Sequence, residues 1–424
     1  MKNSNSFYFV LLVMLSFIFI YSFDCSAQNS NINDNNVFNI TYKGESCKFA
    51  KWADYSIYIP SHCAKVRGIL VLQHGCTMEQ FGITKTYDLQ YRAFANKWDL
   101  AIVETALHGD CYDWRDPQSG SASLLFTFIH TIAVKIHHPE LDSSPWLLWG
   151  HSGGGYWTLA MIKNYPTHIL AAVCYSPAFN PEWDYPSSVS KIPILLRHAG
   201  ANDCEGCWIT SKMAFSKLRK LGTPVCIAYN KDQNHNFSYL RYMAIPFFES
   251  ALRQRLPKKG SNKMRDINLK NLWIGDTLSC KISRLSEYKG DIKNKNLFLD
   301  KSTAMKWQEY VSTGTVVDKT PPSSPYDVTL HKEGDSLIVR WKQQADIESG
   351  IQCFNVFVNG KLVGRIPQTG SYQTFDKNGD NTISPKVPKM EYAISPCPKK
   401  KVTISVTTTN NCSLVSPKAN LSYK

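Results

Sequence analysis

The chain has 424 residues, of which 43% are hydrophobic and 19% charged, and its formal net charge is +14. This apolar content excludes a wholly disordered chain, because it is enough to bury a sizeable core. At roughly 150 residues per domain, the length predicts two or three domains.

The first 27 residues have the composition of an export signal. Lys2 precedes an apolar stretch at residues 7–23, and Cys25-Ser26-Ala27 offers the small residues that a signal peptidase accepts. We expect cleavage after Ala27 and a secreted or periplasmic protein, with an uncleaved membrane anchor as the alternative. No later run of about 20 apolar residues occurs, so no further transmembrane span is predicted.

Short apolar runs alternate with helix-length segments through the first half of the chain. The runs predict buried strands at residues 68–73, 100–104, 146–149, 171–175, 192–196 and 225–229. The segments between them predict helices at residues 87–97, 122–136, 154–164 and 208–221. This alternation predicts an α/β domain over residues 28–257, with a mostly parallel sheet and helices on both faces.

The positive charge is concentrated after this domain. Residues 1–250 carry 20 Lys and Arg against 19 Asp and Glu, whereas residues 251–320 carry 15 against seven and residues 321–424 carry 13 against eight. We interpret residues 258–320 as a basic linker or small subdomain. The basic half predicts either an ordinary soluble surface or a contact with an anionic polysaccharide or the cell surface. No nucleic-acid motif accompanies it.

The last hundred residues show a third pattern. The prolines at 320–325 mark a boundary, since clustered prolines continue neither a helix nor a central strand. Short alternating runs then predict strands at residues 336–341, 354–358, 391–394 and 402–407. The segment 321–424 therefore predicts an all-β sandwich. Its proline-rich entry, a strand with Trp341 and the later Tyr392 resemble a fibronectin type III domain.

The strongest chemical signal is the run Gly150-His151-Ser152-Gly153-Gly154, a G-x-S-x-G pattern. A predicted buried strand enters it and a predicted helix leaves it. Small residues at 150 and 154 allow the sharp strand-to-helix turn that exposes a serine hydroxyl. We therefore predict that Ser152 is a catalytic nucleophile.

A serine nucleophile needs a base and an acid that orients the base. Asp203 follows the predicted strand at 192–196, and His235 follows the last predicted strand, which gives the order serine, acid, histidine. Glu205 is the competing acid. His198 and His168 precede Asp203 and fit the order less well.

Stabilising an oxyanion requires two further donors. The backbone N–H groups of Cys76, in the run His74-Gly75-Cys76-Thr77, and of Gly153 are our candidates for the oxyanion hole. His74 itself is interpreted as structural. Trp183 and Trp208 are the candidate substrate-binding aromatics, since indole rings stack on sugars and phenolic groups.

Residues 67–250 resemble an α/β-hydrolase. Within that superfamily, His74-Gly75-Cys76-Thr77 followed by Cys111-Tyr112-Asp113-Trp114 is similar to secreted esterases of the polyhydroxybutyrate-depolymerase-like, feruloyl and acetylxylan types. The resemblance implies a Cys76–Cys111 disulfide. Met78 stands where those enzymes usually have glutamine, and Tyr112 stands where tryptophan or phenylalanine is commoner.

The other cysteines leave several interpretations open. Without Cys25, 12 cysteines remain, and an exported chain is expected to form disulfides. Cys47 and Cys63 bracket an N-terminal hairpin and are candidates to pair. Cys204 and Cys207 suit a disulfide that stiffens the Asp203 loop, and a redox pair or half a metal site are the alternatives. The run at 376–382 is typical of a β-turn rather than a calcium loop.

These patterns predict a secreted serine esterase that needs no metal or cofactor. The expected substrate is a carboxylic ester, either an acyl group on a polysaccharide or a polyester. A serine peptidase of the prolyl-oligopeptidase type is the first alternative, although only a short segment precedes the predicted sheet. The second alternative is a catalytically inactive binding or adhesion protein.

Overall fold

The computed structural model describes residues 36–81, 83–179, 182–204, 206–235, 239–315, 317–372 and 389–424. The predicted signal at residues 1–27, Glu205 and the turn at 376–382 lie outside these ranges. Within them, the helices are all too short or too polar to cross a membrane.

Eight strands form the main sheet. They are β1 (Val37–Lys43), β2 (Trp52–Tyr58), β3 (Gly68–Gln73), β4 (Leu100–His108), β5 (Trp146–His151), β6 (Ile169–Tyr175), β7 (Ile194–His198) and β8 (Val225–Tyr229). Their order across the sheet is β1-β2-β4-β3-β5-β6-β7-β8. Strands β3 to β8 run parallel, and β1 and β2 join antiparallel at one edge. The predicted, mostly parallel sheet is confirmed.

Both faces of this sheet are covered. Every residue of β3 is buried. Ile69 and Val71 point into one hydrophobic cluster, and Leu70 and Leu72 into the other. Successive side chains of a strand point to opposite faces of the sheet, so an unbroken apolar run contributes to the hydrophobic clusters on both faces.

The helices divide between the two faces as predicted. The first cluster holds side chains from α3 (Ser121–Lys135), α4 (Gly153–Asn164) and α5 (Cys207–Lys220), and the second holds side chains from α1 (Leu89–Trp98) and α6 (Arg241–Arg255). A single turn, α2 (Cys111–Trp114), lies in the loop after β4. Helix α1 begins two residues after its predicted start, because the carboxylate of Asp88 accepts the N–H groups of Gln90 and Tyr91 as an N-cap.

The basic segment folds against the main sheet. It forms three short antiparallel strands, β9 (Trp273–Gly275), β10 (Ile282–Arg284) and β11 (Asn296–Phe298), followed by α7 (Lys301–Thr313). Ile274, Phe298 and Trp307 belong to the same hydrophobic cluster as α6. The indole N–H of Trp307 donates to the carbonyl of Ile227 in β8 at 2.8 Å, so the segment extends the core of the first domain.

The C-terminal part is all-β, as predicted. Its strands are β12 (Tyr326–Glu333), β13 (Ser336–Lys342), β14 (Ile351–Val358), β15 (Lys361–Ile366), β16 (Glu391–Ile394), β17 (Val402–Asn410) and β18 (Ala419–Tyr423). They form two antiparallel sheets, ordered β12-β13-β16 and β15-β14-β17-β18. Trp341 and Phe354 pack edge to face between the sheets, with ring centroids 5.3 Å apart.

Polar contacts join this part to the first domain. The side-chain amide of Gln90 donates to the carbonyl of Ile347 at 2.9 Å. The Tyr242 hydroxyl lies 3.2 Å from the sulfur of Cys412. Leu89 packs against the C-terminal hydrophobic cluster. The start of α1 and the start of α6 therefore both form part of the contact between the two parts.

Candidate active site

Ser152 lies in the turn between β5 and α4. Its backbone has φ 54° and ψ −117°, a conformation that non-glycine residues rarely adopt. A Cβ on Gly150 would lie 2.0 Å from the carbonyl oxygen of Gly154, so the turn closes only with glycine there. The serine therefore lies at the carboxyl edge of the sheet, directly before the N-terminus of α4.

Asp203 and His235 meet beside this edge, in the loops after β7 and β8. The Nδ1 atom of His235 lies 2.5 Å from Oδ1 of Asp203. The other carboxylate oxygen accepts hydrogen bonds from the Ser176 hydroxyl at 2.8 Å and the Ala199 N–H at 2.7 Å. The side chain of Asp203 is fully buried, whereas His235 is 23% exposed. This carboxylate can hold the imidazole in a single orientation.

A buried arginine organises the two loops. Arg197, in β7, donates from Nη1 to the Ser176 hydroxyl at 2.7 Å and from Nη2 to the carbonyl of Asn234 at 2.8 Å. Its Nη1 lies 3.9 Å from Oδ2 of Asp203, and both side chains are inaccessible to solvent. One guanidinium thus fixes the position of the acid and of the residue before His235.

These contacts keep Asp203 ionised. Burial alone would raise the pKa of its carboxyl group. The hydrogen bonds from His235 and from the Ala199 N–H, together with the charge of Arg197, instead lower the pKa to about 2. At neutral pH the carboxylate is therefore an acceptor, and the proton on Nδ1 of His235 is donated to it.

The basic segment supports the same loop from outside. Gln233, two residues before His235, accepts the Tyr310 hydroxyl at 2.7 Å and Arg197 Nη2 at 3.0 Å on its side-chain oxygen. Its amide nitrogen donates to the carbonyl of Gly314 at 2.7 Å. Residues at the end of α7 therefore position the loop that carries the histidine.

His151 connects the serine turn to the histidine loop. Burial lowers its pKa to about 3, and the neighbouring His235 reinforces the shift, so the ring is neutral. Its Nε2–H donates to the carbonyl of His235 at 3.1 Å, and the two rings lie 4.7 Å apart. Its Nδ1 lies 3.3 Å from the sulfur of Met78. The residue beside Ser152 is thus bonded directly to His235.

The structure contains the Cys76–Cys111 disulfide. A Cβ on Gly153 would come within 2.4 Å of both sulfur atoms and within 3.5 Å of the Cys76 nitrogen. The bridge therefore packs on the residue after the serine and brings the loop of Cys76 against the start of α4. The two residues whose N–H groups are the candidate oxyanion donors are close together.

His74 has a structural environment, in agreement with its interpretation from the sequence. Its Nε2 accepts the Leu107 N–H at 2.8 Å, and its Nδ1 lies 2.6 Å from the carbonyl of Gly75. The ring packs on Trp114, which is fully buried. Burial lowers the pKa of His74 to about 4, so it is neutral and joins the loop after β3 to β4.

The two candidate substrate-binding tryptophans have different surroundings. Trp183 packs edge to face on Tyr156 with ring centroids 5.1 Å apart, and the amide of Tyr156 bonds to the carbonyl of Ser152. Trp208, in α5, lies beneath the ammonium of Lys212 at 4.4 Å. Trp183 is therefore connected to the serine turn through one residue, and for Trp208 the described contacts give no such connection.

The remaining cysteines correct one prediction. Cys204 and Cys207 form a disulfide directly after Asp203, as the preferred interpretation expected. Their sulfur atoms, with Asp203 and His235, form a group close enough to ligate a metal ion, but here the four residues bond to one another in pairs. The pairing of Cys47 with Cys63 is wrong. Both are buried free thiols in separate surroundings, since Asp54 lies near the first, and Asp99 and Glu140 near the second.

Comparisons with known proteins agree with this architecture. A family model described as serine aminopeptidase, S33, matches residues 125–220, which include Ser152 and Asp203. The strand order of the main sheet, with β2 antiparallel to β4, is that of the α/β-hydrolase fold, so the first domain has this fold. No curated protein matches the sequence.

Solved structures of several hydrolases are similar to part of the chain. A poly(3-hydroxybutyrate) depolymerase from Bordetella parapertussis is 13% identical with a TM-score of 0.37, and the match covers 53% of this chain and 92% of that one. A ferulic acid esterase is 14% identical with a TM-score of 0.36, and the match covers 51% of this chain and 95% of that one. An S-formylglutathione hydrolase from Agrobacterium tumefaciens is 16% identical with a TM-score of 0.35, and the match covers 51% of this chain and 94% of that one.

The supporting residues Arg197, Gln233 and His151 were not found by sequence reasoning. Arg197 left one signal, a lone charge at the end of an otherwise apolar strand. Its partners lie 21 to 37 residues away in the sequence, so no local pattern identifies them.

Proposed function

We propose that this protein is a serine esterase that hydrolyses carboxylic esters with Ser152, His235 and Asp203. The observation that carries the proposal is the Asp203–His235 hydrogen bond beside a serine held at positive φ before a helix N-terminus. A buried carboxylate, an oriented imidazole and a serine on such a turn form the arrangement that activates a hydroxyl nucleophile.

In the proposed mechanism, Nε2 of His235 takes the proton of Ser152 as its oxygen attacks the ester carbonyl. The same proton then passes to the leaving alcohol, and an acyl-enzyme remains. Water attacks the acyl group in the second half, again with His235 as the base. Asp203 stays ionised and stabilises the imidazolium.

The tetrahedral intermediate carries an oxyanion that needs donors. We assign this role to the backbone N–H groups of Cys76 and Gly153. Their proximity supports the assignment, as does the position of Gly153 at the first turn of α4, whose dipole favours a negative charge. The Cys76–Cys111 disulfide holds the first donor in place.

The substrate and the location of the protein belong to the same proposal. The leader predicted at residues 1–27, two disulfides and a basic second half support secretion and a polymeric or glycan-linked ester. We assign the C-terminal sandwich to the fibronectin type III type, because its three- and four-stranded sheets have the order of strands A-B-E and C′-C-F-G. Its proposed role is that of a spacer or a surface contact.

A substrate panel tests the activity. The mature protein and Ser152→Ala are assayed with p-nitrophenyl acetate and butyrate, methyl ferulate, acetylated xylan and a prolyl p-nitroanilide. We expect ester turnover in the wild type and none in the folded variant. Turnover that persists in Ser152→Ala would refute the nucleophile, and no turnover in either would favour a binding protein.

Peptidase activity is the second candidate, because the matching family model is described as a serine aminopeptidase. The same serine, histidine and aspartate would cleave an amide. Turnover of the anilide without turnover of the esters would decide for this candidate.

A further inference from the structure

Four side chains form a cluster beside Ser152 that the proposed mechanism does not use. They are Tyr112, Arg115, Tyr156 and Phe179, and we call them the arginine–aromatic cluster. The guanidinium carbon of Arg115 lies 3.6 Å from the ring centroid of Phe179, 4.0 Å from that of Tyr112 and 5.0 Å from that of Tyr156. Three rings therefore surround one cation.

Each ring is connected to the reacting groups by a neighbouring residue. Tyr112 follows Cys111, whose sulfur packs on Gly153. Phe179 follows Ala178, whose N–H donates to the carbonyl of Ser152 at 2.9 Å. Tyr156 lies in the first turn of α4, and its N–H bonds to the same carbonyl. The residues that carry the cluster are thus joined to the serine turn, or are adjacent in sequence to residues that contact it.

The charge of Arg115 has no anionic partner. Among the described residues, no carboxylate lies within ion-pair distance of its guanidinium, and its buried Nη1 has no hydrogen-bond partner. Three acids lie close to it in sequence, Asp110, Asp113 and Asp116, and no ion pair joins any of these described residues to Arg115. Asp110 accepts the N–H of Tyr112, and Asp116 accepts the N–H of Gln118. Ring faces attract a cation but do not neutralise it.

Arg115 differs in this respect from Arg197 and Arg241, which face carboxylates, and from the buried Arg219 and Arg255, which donate to backbone carbonyls. Arg197 is 3.9 Å from the carboxylate of Asp203, and Arg241 is 3.0 Å from that of Asp88. Arg115 is also partly exposed, and Tyr112 beside it is 62% exposed. A guanidinium that is fixed by rings, partly open and without a counter-ion is preorganised to bind an anion.

We propose that Arg115 binds a carboxylate of the substrate, so that the preferred substrates are esters whose acyl or alcohol part is itself anionic. This inference rests on the proposed esterase function and names the substrate class of the same site. Tyr112, Tyr156 and Phe179 hold the guanidinium in place and cover the uncharged part of the substrate beside it. Arg115 is a specificity residue and takes no part in proton transfer.

Matched pairs of esters test the proposal. Monomethyl and dimethyl adipate differ by a carboxylate on the acyl side, and 4-acetoxybenzoate and phenyl acetate differ by one on the alcohol side. For each pair we compare the ratio of kcat/KM for the charged ester to that for the neutral ester in the wild type, Arg115→Met and Arg115→Lys. Comparing enzymes in this way cancels the intrinsic reactivity of the esters.

We expect the ratio of at least one pair to fall by about 10- to 100-fold in Arg115→Met, as for the loss of a hydrogen bond to a charged group. Arg115→Lys keeps the charge and should lose less. Lys418→Met removes a cation that lies 4.9 Å from the ring of Phe357 in the C-terminal sheet, and it should leave both ratios unchanged.

Ratios that stay within about twofold of the wild type in folded Arg115→Met, for both pairs, would overturn the inference. Hydrolysis of the neutral esters with such unchanged ratios would leave the esterase function standing. If the wild type hydrolysed neither member of either pair, the proposed function itself would fail. Thermal unfolding of each variant checks that the protein is folded.

Discussion

Asp203 is the residue with the most fully defined surroundings in the candidate site. Both of its carboxylate oxygens accept hydrogen bonds, and a buried guanidinium lies nearby. A buried carboxylate in such a setting costs free energy unless these partners are all present. The same contacts that stabilise the charge also orient His235, so stability and the proposed catalysis depend on the same group.

Asp203→Asn should reduce kcat for ester hydrolysis by about 10⁴-fold, because an amide can stabilise the wrong tautomer of His235. The amide also cannot supply the charge that Arg197 faces. Rate measurements on p-nitrophenyl acetate at neutral pH, with circular dichroism to confirm folding, test this. A loss below about tenfold would contradict the assigned role.

The same carboxyl group predicts a pH dependence of stability. Its folded-state pKa of about 2 lies below the ordinary value of 3.8, so its contribution is present above about pH 4 and is lost as the pH falls towards 2. The shift corresponds to about 2 kcal/mol. Denaturant unfolding of wild type and Asp203→Asn should show a stability difference that shrinks between pH 6 and pH 3. A stability difference that does not depend on pH would count against a lowered pKa of Asp203 in the folded protein.

Sequence reasoning identified the residues that lie at strand ends but not those that support them. Ser152, Asp203 and His235 each follow an apolar run, and that position could be inferred from spacing alone. Arg197 and Gln233 act through contacts between separate loops, which have no sequence pattern of their own. The catalytic roles of the first three remain predictions until they are assayed.

Among the elements, the basic segment around α7 holds the loop that carries His235, and its sequence did not indicate this role. Strands of three residues carry no periodicity, and the excess of lysine left a linker and a small subdomain as alternatives. Tyr310 and Gly314 nevertheless fix Gln233, and Trp307 bonds to β8. The segment thus contacts both the histidine loop and the last strand of the main sheet.

Tyr310→Phe should test this support. It removes the hydroxyl that donates to Gln233, and we expect a loss of about 1 kcal/mol in unfolding free energy, since one buried hydrogen bond is lost. We also expect a several-fold lower kcat with little change in KM. Tyr326→Phe, at an exposed position in β12, is the matched control. Equal behaviour of the two variants would argue against a supporting role.

The Cys76–Cys111 bridge joins the loop after β3 to α2. It closes a separation of 35 residues, which corresponds to about 4 kcal/mol of stabilisation when chain entropy alone is counted. Cys111→Ser should lower both the melting temperature and kcat, because the Cys76 amide is no longer held beside Gly153. Cys280→Ser, at a free cysteine, should change neither. Unchanged activity in Cys111→Ser would show that the bridge does not position the oxyanion donor at Cys76.

One predicted strand is displaced by two residues in the structure. The run at 192–196 was predicted as a strand, whereas β7 spans Ile194–His198. Pro193 lacks an N–H and only accepts a bond from Ala172, so the ladder begins after it. At the other end, Arg197 continues the strand because its charge is satisfied inside the protein, which its sequence neighbours do not reveal.

At the scale of the whole molecule, contacts from the starts of α1 and α6 join the first domain to the C-terminal part. Gln90 and Tyr242 reach the loops of the C-terminal sandwich, and Leu89 packs on its hydrophobic cluster. The all-β class of that sandwich followed from short alternating runs. The contact between the two parts could not be predicted in this way, because it depends on loops whose partners lie more than 150 residues away in the sequence.

Truncation after Lys319 should therefore lower the melting temperature of the first domain by about 2–6 °C, since Leu89 and Tyr242 become exposed. Hydrolysis of small esters should stay within about twofold, because the described residues of the sandwich supply no group to the candidate site. Differential scanning calorimetry and kcat/KM measurements on the two lengths of chain test this. A melting temperature equal to that of the full chain would show that the contact contributes nothing to stability.

The most direct test of the central claim is covalent labelling of the nucleophile. A fluorophosphonate probe reacts with a serine only when an oriented base activates it. Intact-mass and peptide-mass analysis should show one phosphonyl group per wild-type chain, on the peptide that contains Ser152, and no label on Ser152→Ala. A chain that is folded but unlabelled, or labelled at another residue, would contradict the assignment of Ser152 as the nucleophile.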